Sequence, residues 1–189
     1  QMSGGMKQRV IGAIAISCEP KVIIADEPTT ALDVTIQLQY LRLLKEIQNE
    51  TGLAIIFITH DFGIVARLCD RVAVMYAGRI VETAGVRDLF NKPQHPYTQA
   101  LMDSVPTMDR TERLYSIEGQ PPALYDLPPG CRFAERCSKS SERCLREYPV
   151  AFQVSKDHQA NCWMLDERWS DTNWRSPDAN LESEQGATE

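Results

Sequence analysis

The chain has 189 residues, with 20 Lys and Arg against 26 Asp and Glu and a net charge of −6. That length holds one substantial core or two modest ones, and the charge excludes the basic field that nucleic acid calls for. No apolar run approaches the roughly 18 residues needed to span a bilayer, and no secretory leader is visible. Five of the six net negative charges fall in residues 166–189, where seven acids meet two arginines, so the body is near neutral. The chain starts without Met, inside what reads as a motif, and is expected to be the C-terminal part of a longer protein.

In chain order, Ser3-Gly4-Gly5 opens a segment whose Val10, Ile11, Ile14 and Ala15 recur at helical spacing. A helix is predicted from Met6 to about Ser17, stopped by Glu19-Pro20. Gly4 and Gly5 let a ligand approach the backbone, and the helix start presents free N–H groups and a positive dipole end, which suits a phosphate. Val22-Ile23-Ile24-Ala25 reads as a short strand buried on both faces, as in a parallel sheet. Asp26-Glu27 stand where it ends, and in an open α/β sheet ligands bind at the carboxyl ends of strands. Asp26 suits Mg²⁺, held through water, and Glu27 suits orienting and deprotonating a water that attacks a γ-phosphate. Alone, the pair reads better as an acidic turn; its neighbours change that.

Pro28 to Asp33 form a turn whose Asp33 caps the next helix, Val34 to about Glu50, ended by Gly52. Val34, Leu38, Leu41, Leu44 and Ile47 make its apolar stripe. A second buried strand, 53–59, ends in His60. A short helix passes through Ile64, Val65 and Leu68, and Cys18 and Cys69 read as small packing residues. Two strands, 71–76 and 79–83, flank the tight turn Ala77-Gly78. A short helix, 86–90, is followed by His95-Pro96-Tyr97-Thr98 and a helix as far as Val105-Pro106. Residues 119–130 are proline-rich and read as a semi-rigid connector. Past Asp166 the acidic, Ser- and Asn-rich composition predicts disorder.

Ser3-Gly4-Gly5, Asp26-Glu27, Asp33 and His60, in that order within sixty residues, resemble the signature motif, Walker B motif, D-loop and switch histidine of the ABC-transporter ATPases. Met2 and Met6 flank the signature, where the commonest form has Leu and Gln. The His95-Pro96-Tyr97-Thr98 run is similar to the extension carried by ATPases of dipeptide and oligopeptide permeases, and is read as structural. No Gly-x-x-x-x-Gly-Lys-Ser/Thr occurs, so the resemblance covers the second half of a nucleotide-binding domain and the residues C-terminal to it. It implies an α/β fold: the C-terminal part of an ABC-type P-loop ATPase domain, a parallel sheet flanked by helices, plus a small irregular cysteine-rich extension. The expected domains are 1–91, the ATPase half; 92–165, the extension; and 166–189, the tail.

By the same resemblance the ligands are ATP and Mg²⁺, sandwiched between two head-to-tail ATPase subunits. Ser3, Gly4 and Gly5 would contact the γ-phosphate bound by the partner; Asp26 and Glu27 would serve the subunit's own site. His60 would bridge γ-phosphate and attacking water, and Asp33 would communicate across the dimer. The implied partners are an identical or paralogous ATPase, two transmembrane permease subunits and, indirectly, an extracytoplasmic peptide-binding protein. The implied place is the cytoplasmic face of the cell membrane, peripherally, powering peptide import. The fragment alone is expected to bind ATP negligibly. Rival readings are a soluble ABC-type ATPase and a metal-dependent docking module on a degenerate ATPase.

Cys131, Cys137, Cys144 and Cys162 have the spacing C-x5-C-x6-C-x17-C. In a cytosolic protein thiols stay reduced, and about 35 residues build little core without a staple, so metal ligation is the preferred reading. Structural zinc usually shows a close C-x2–4-C pair, absent here. The wider intervals suit a [4Fe–4S] cluster on four thiolates, with Zn²⁺ as the alternative. Arg132, Arg136, Lys139, Arg143 and Arg146 form a local positive excess, read either as offsetting cluster charge or as ordinary solvated surface. The similar peptide-transporter ATPases imply iron–sulfur occupancy.

Overall fold

The computed structural model describes residues 2–30, 32–105 and 116–167. They fall in two compact units, Gln1–Cys69 and Asp70–Glu189. The first has the order α1 (Gly4–Ile16), β1 (Val22–Asp26), α2 (Val34–Thr51), β2 (Ala54–Ile58) and α3 (Phe62–Leu68). Each helix starts where a side chain accepts an otherwise unpaired N–H. Ser3 Oγ accepts from Met6, Asp33 Oδ1 from Ile36, and Asp61 Oδ1 from Gly63 and Ile64. Gly52 ends α2 in the left-handed conformation at φ 70°.

β1 and β2 pair in parallel, Val22 opposite Ala54 through Asp26 opposite Ile58, with α2 as the crossover between them. The expectation that both faces are buried is corrected. Exposure alternates along each strand, and Val22, Ile24, Ile56 and Ile58 stand about half or more exposed. A βαβ unit has one helix to lay against its sheet, and one helix covers one face. The α2 stripe is likewise centred on Tyr40, Leu41 and Leu44, while Val34 is exposed. Cys18, expected to pack, is exposed.

The second unit is built on the hairpin of β3 (Arg71–Tyr76) and β4 (Arg79–Gly85). Ala77 and Gly78 both have positive φ, 44° and 80°, the combination that matches a two-residue turn to the strands' right-handed twist. After β4 come α4 (Val86–Asn91), α5 (Pro96–Asp103), α6 (Glu142–Arg146), β5 (Phe152–Ser155) and β6 (His158–Ala160). The four strands make one antiparallel sheet in the order β3-β4-β6-β5. The extension is therefore not the irregular appendage expected, because two of its strands complete the hairpin's sheet. The compact division falls at residues 69 and 70, so the hairpin packs with the extension and the expected boundary at 91 lies inside one unit.

Val74, Tyr76, Val81, Ala84, Leu89 and Phe133 form the core of this unit. Tyr76, Tyr97 and Phe133 make a ring cluster with centroids 4.6–5.3 Å apart. A second cluster, Ala134, Cys144 and Trp163, lies beside it, and Cys131 packs against both. The expected helix end at Val105-Pro106 moves back to Asp103, capped by Ser104. The tail expectation lies, from residue 168 on, outside the described residues.

Candidate functional site

The parallel register sets the ends of β1 and β2 side by side, and Glu27 N–H extends the pairing by donating to Ile58 C=O at 3.0 Å. The chain then turns sharply. Glu27 has φ 43°, a left-handed conformation that costs a non-glycine residue about 1–3 kcal/mol and persists where its surroundings hold it. Three bonds hold it here. Thr30 Oγ1–H donates to Glu27 Oε2 at 2.8 Å, and His60 N–H donates to Oε1 at 3.2 Å. His60 Nδ1 lies 2.7 Å from the same Oε1, so the ring proton on that side is Nδ1–H, donated to the carboxylate.

The hydrogen bond from His60, and then that from Thr30, hold the Glu27 carboxyl below the usual glutamate value, against a smaller opposing effect of desolvation. Glu27 is thus a fixed anion, well suited to orienting a water and a modest proton acceptor. The His60 side chain is 83% exposed, so its outer nitrogen is open to a ligand. Asp26, next to Glu27 at the strand end, is also exposed.

Ser3 and Asp33 use their side-chain oxygens on the starts of α1 and α2. Gly4 and Gly5 open α1, and a Cβ on Gly5 would touch Leu32 and Ile36 at 3.4 Å, so its small size also serves packing. The structure therefore brings Glu27 and His60 together, 33 residues apart in sequence. The side-chain bonds of Ser3 and Asp33 are local.

The second constellation lies in the other unit. Cys131, Cys137, Cys144 and Cys162 all line one pocket, together with His95, Lys139 and Trp163. Cys131 N–H donates to Cys144 C=O at 2.7 Å, and a side chain on Gly130 would run into the Cys144 and Leu145 backbone, so only glycine fits there. Burial, more than any other cause, pushes the Cys131, Cys137 and Cys162 thiols up, the last two to about 12, and the nearby cysteines add to it. As free thiols these three stay protonated at neutral pH; a bound cation would reverse that. The cavity between them is about 10 Å³, room for one water-sized object, so anything larger needs the surrounding loops to part. Among the described residues no group of three or more His, Cys, Asp or Glu is placed to hold one ion.

The positive side chains around the cysteines, read either as countercharge or as solvated surface, are mostly engaged away from the pocket. Arg132 donates to Ala77 C=O, and Arg136 to Ile117 C=O, Glu118 C=O and Tyr76 Oη. Arg143 stacks on Trp163 at 3.5 Å from the ring centre and pairs with Asp166, and Arg146 pairs with Glu142. Of the five, Lys139 alone lines the pocket.

A buried polar cluster that sequence reasoning missed adjoins it. Glu82, fully buried in β4, accepts from Gln94 N–H at 2.8 Å and His95 N–H at 2.9 Å, and its Oε1 lies 2.7 Å from His158 Nε2. His95 caps α5, its Nδ1 accepting from Tyr97 N–H at 3.1 Å. Burial drives the His95 value down to about 4, with the Glu82 charge opposing, so the ring is neutral at physiological pH.

Two family models match: the oligopeptide/dipeptide transporter C-terminal region over residues 81–144, and the ABC transporter over residues 1–30. The dipeptide transport ATP-binding protein DppD of Bacillus subtilis is 53% identical over 169 residues, 89% of this chain and 50% of its own length. The oligopeptide transport ATP-binding protein AppD of the same organism is 48% identical over 168 residues, 88% of this chain and 51% of its own. The solved structure of cbiO1 from Clostridium perfringens, part of the ABC transporter complex cbiONQ, is 42% identical with a TM-score of 0.45, covering 48% of this chain and 36% of that one. The chain spans about half the length of the curated relatives it matches. Sequence motifs, family models and relatives agree: over the half of their length that it spans, the chain is similar to ATP-binding proteins of dipeptide and oligopeptide ABC transporters.

Proposed function

We propose that this chain is the C-terminal part of an ATP-hydrolysing subunit that powers peptide import through an ABC transporter. The observation that carries the reading is the Glu27–His60 pair, 2.7 Å apart at the carboxyl ends of two parallel strands. Phosphoryl transfer needs positioning and charge more than covalent chemistry. Glu27, an anion held by three hydrogen bonds, orients the attacking water and takes its proton. His60, anchored to Glu27 through Nδ1, presents its outer nitrogen to the γ-phosphate. Asp26, an exposed carboxylate at the strand end, offers the hard oxygen that Mg²⁺ prefers. When bound, Mg²⁺ neutralises charge on the phosphate oxygens.

Ser3, Gly4 and Gly5 would close over the nucleotide of a second ATPase subunit, identical or paralogous, and Asp33 would sense that contact. Among the described residues no helix is long and apolar enough to cross a membrane, which accords with a peripheral subunit docked on two permease subunits at the cytoplasmic face. An extracytoplasmic binding protein would supply the peptide. The chain contains no P-loop sequence, so residues 1–189 alone should bind ATP negligibly. The test of function is Mg²⁺-dependent ATP hydrolysis by the full-length protein reconstituted with its permeases, stimulated by a peptide-loaded binding protein. Copurification with permeases and peptide-stimulated turnover are expected; turnover indifferent to permease and peptide would contradict the transport role.

For the cysteine pocket we propose a [4Fe–4S] cluster. The four thiols that line one cavity are its donor set, and each would have to give up its proton to ligate iron, a loss that burial of Cys131, Cys137 and Cys162 opposes. Cys131, Cys137, Cys144 and Cys162 would each ligate one iron; bound there, the cluster ties four separated points of the chain together. Iron and sulfide in stoichiometric amounts, lost in Cys137→Ser, are expected. One tightly bound Zn²⁺ in their place would contradict the cluster.

A further inference from the structure

The two oxygens of the Glu27 carboxylate are not equivalent. Oε1 faces two donors, the His60 N–H at 3.2 Å and the His60 ring Nδ1 at 2.7 Å. A carboxylate oxygen has two lone pairs, so Oε1 is filled. Oε2 accepts a single bond among the described residues, from the Thr30 hydroxyl at 2.8 Å. One lone pair of Oε2 therefore stays open, and the Glu27 side chain is 36% exposed, so water can reach it.

The turn itself sets Thr30 in place. Its N–H donates to Glu27 C=O at 3.3 Å, which closes a four-residue turn from Glu27 to Thr30. Glu27 enters that turn at φ 43°, and its carboxylate meets the hydroxyl three residues on. The last torsion of a glutamate is soft, so a carboxylate held at one oxygen alone still swings. His60 fixes Oε1 from the end of β2, and Thr30 fixes Oε2 from the turn after β1.

We propose that Thr30 is a positioning residue for hydrolysis, aiming the open lone pair of Glu27 Oε2 at the attacking water. The proposal rests on the ATPase reading given under Proposed function and names the oxygen that takes the proton. In that step the water oxygen bonds to the γ-phosphorus and its proton passes to Oε2. The bond from the γ-phosphorus to the bridging oxygen breaks, and the electron pair leaves with ADP. A base must meet the proton it removes at hydrogen-bond distance, so the direction of that one lone pair matters. Thr30 acts through Glu27, because its only side-chain proton is spent on Oε2.

The test is ATP hydrolysis by the full-length protein assembled with its permeases. Thr30→Val exchanges the hydroxyl for a methyl, and Thr30→Ser keeps the hydroxyl. Thr30→Val is expected to lower kcat about 10-fold with the KM for ATP within about twofold of the parent, and Thr30→Ser to restore turnover. ATP-driven association of the ATPase subunits is expected to survive in both. In an assembly that already carries Glu27→Gln, adding Thr30→Val is expected to remove nothing further, because the amide has no proton to take.

Parent turnover in Thr30→Val, an equal loss in Thr30→Ser, a raised KM, lost association, or a further loss on top of Glu27→Gln would each overturn the inference and leave the proposed function standing. Parent turnover in Glu27→Gln alone would overturn both together.

Discussion

The two units of the chain use similar apolar material to opposite ends. In Gln1–Cys69 no residue of α1 is buried, and Ile11, Ile14, Ile24 and Ile56 are each more than half exposed. In Asp70–Glu189, Val81, Ala84, Leu89, Phe133 and Ala160 are 3% exposed or less. The difference lies in layers. The second unit folds two strands of its extension against the hairpin and lays helices on the result, whereas the first offers a two-stranded parallel sheet with one crossover helix. A parallel sheet needs cover on both faces.

That comparison is open to direct attack. The largest effect is expected at Leu89, where Leu89→Ala should lower the stability of the second unit by about 2–5 kcal/mol, read by denaturant melting. Ile14→Ala should stay within about 0.5 kcal/mol in this chain, and cost more in the full-length protein if the α1 face is covered there. Equal costs at the two positions in this chain would remove the distinction.

Acid offers a second probe. The folded value of His95, about 4, lies below the ordinary histidine value, so between pH 6.5 and about 4 the unfolded chain binds the proton the folded chain refuses. The stability it contributes is complete above pH 6.5 and falls as the pH drops through that window, by roughly 1–3 kcal/mol. His95→Asn should flatten this part of the profile, and an unchanged slope would show that other groups carry it. The smallest effect belongs to Arg146, whose pair with Glu142 is exposed on both sides. Arg146→Ala should cost less than about 0.5 kcal/mol, whereas Arg143, stacked on Trp163 and paired with buried Asp166, should cost more.

Much of the first unit was legible because its signals are local. The strand ending in Asp26-Glu27, the cap at Asp33, and Gly52 closing α2 each depend on neighbours in sequence. That Glu27 and His60 serve one site was implied by the family resemblance alone; their contact in the structure follows from the parallel register of β1 and β2. The openness of that sheet was not legible, since an apolar strand reads alike whether or not its cover lies in the same chain. In the second unit β5 and β6, Phe-Gln-Val-Ser and His-Gln-Ala, carry little β-branched character; β6 gains its place by pairing with β4, about 75 residues earlier, and β5 by pairing with β6. Nothing local in the sequence marks Glu82 for burial; the return of β6 and the His95 turn enclose it. The arginines around the cysteines read equally as countercharge or as solvated surface, and their carbonyl and aromatic partners lie too far off in sequence for spacing to reveal.

The most direct measurement is steady-state ATP hydrolysis by the full-length assembly carrying Glu27→Gln. The amide keeps the shape of the site but removes the fixed anion. Turnover should fall by about 10²-fold or more, while ATP still drives the ATPase subunits together. Hydrolysis at the parent rate would contradict the account, because the pair at the ends of β1 and β2 would then not be where the water is activated.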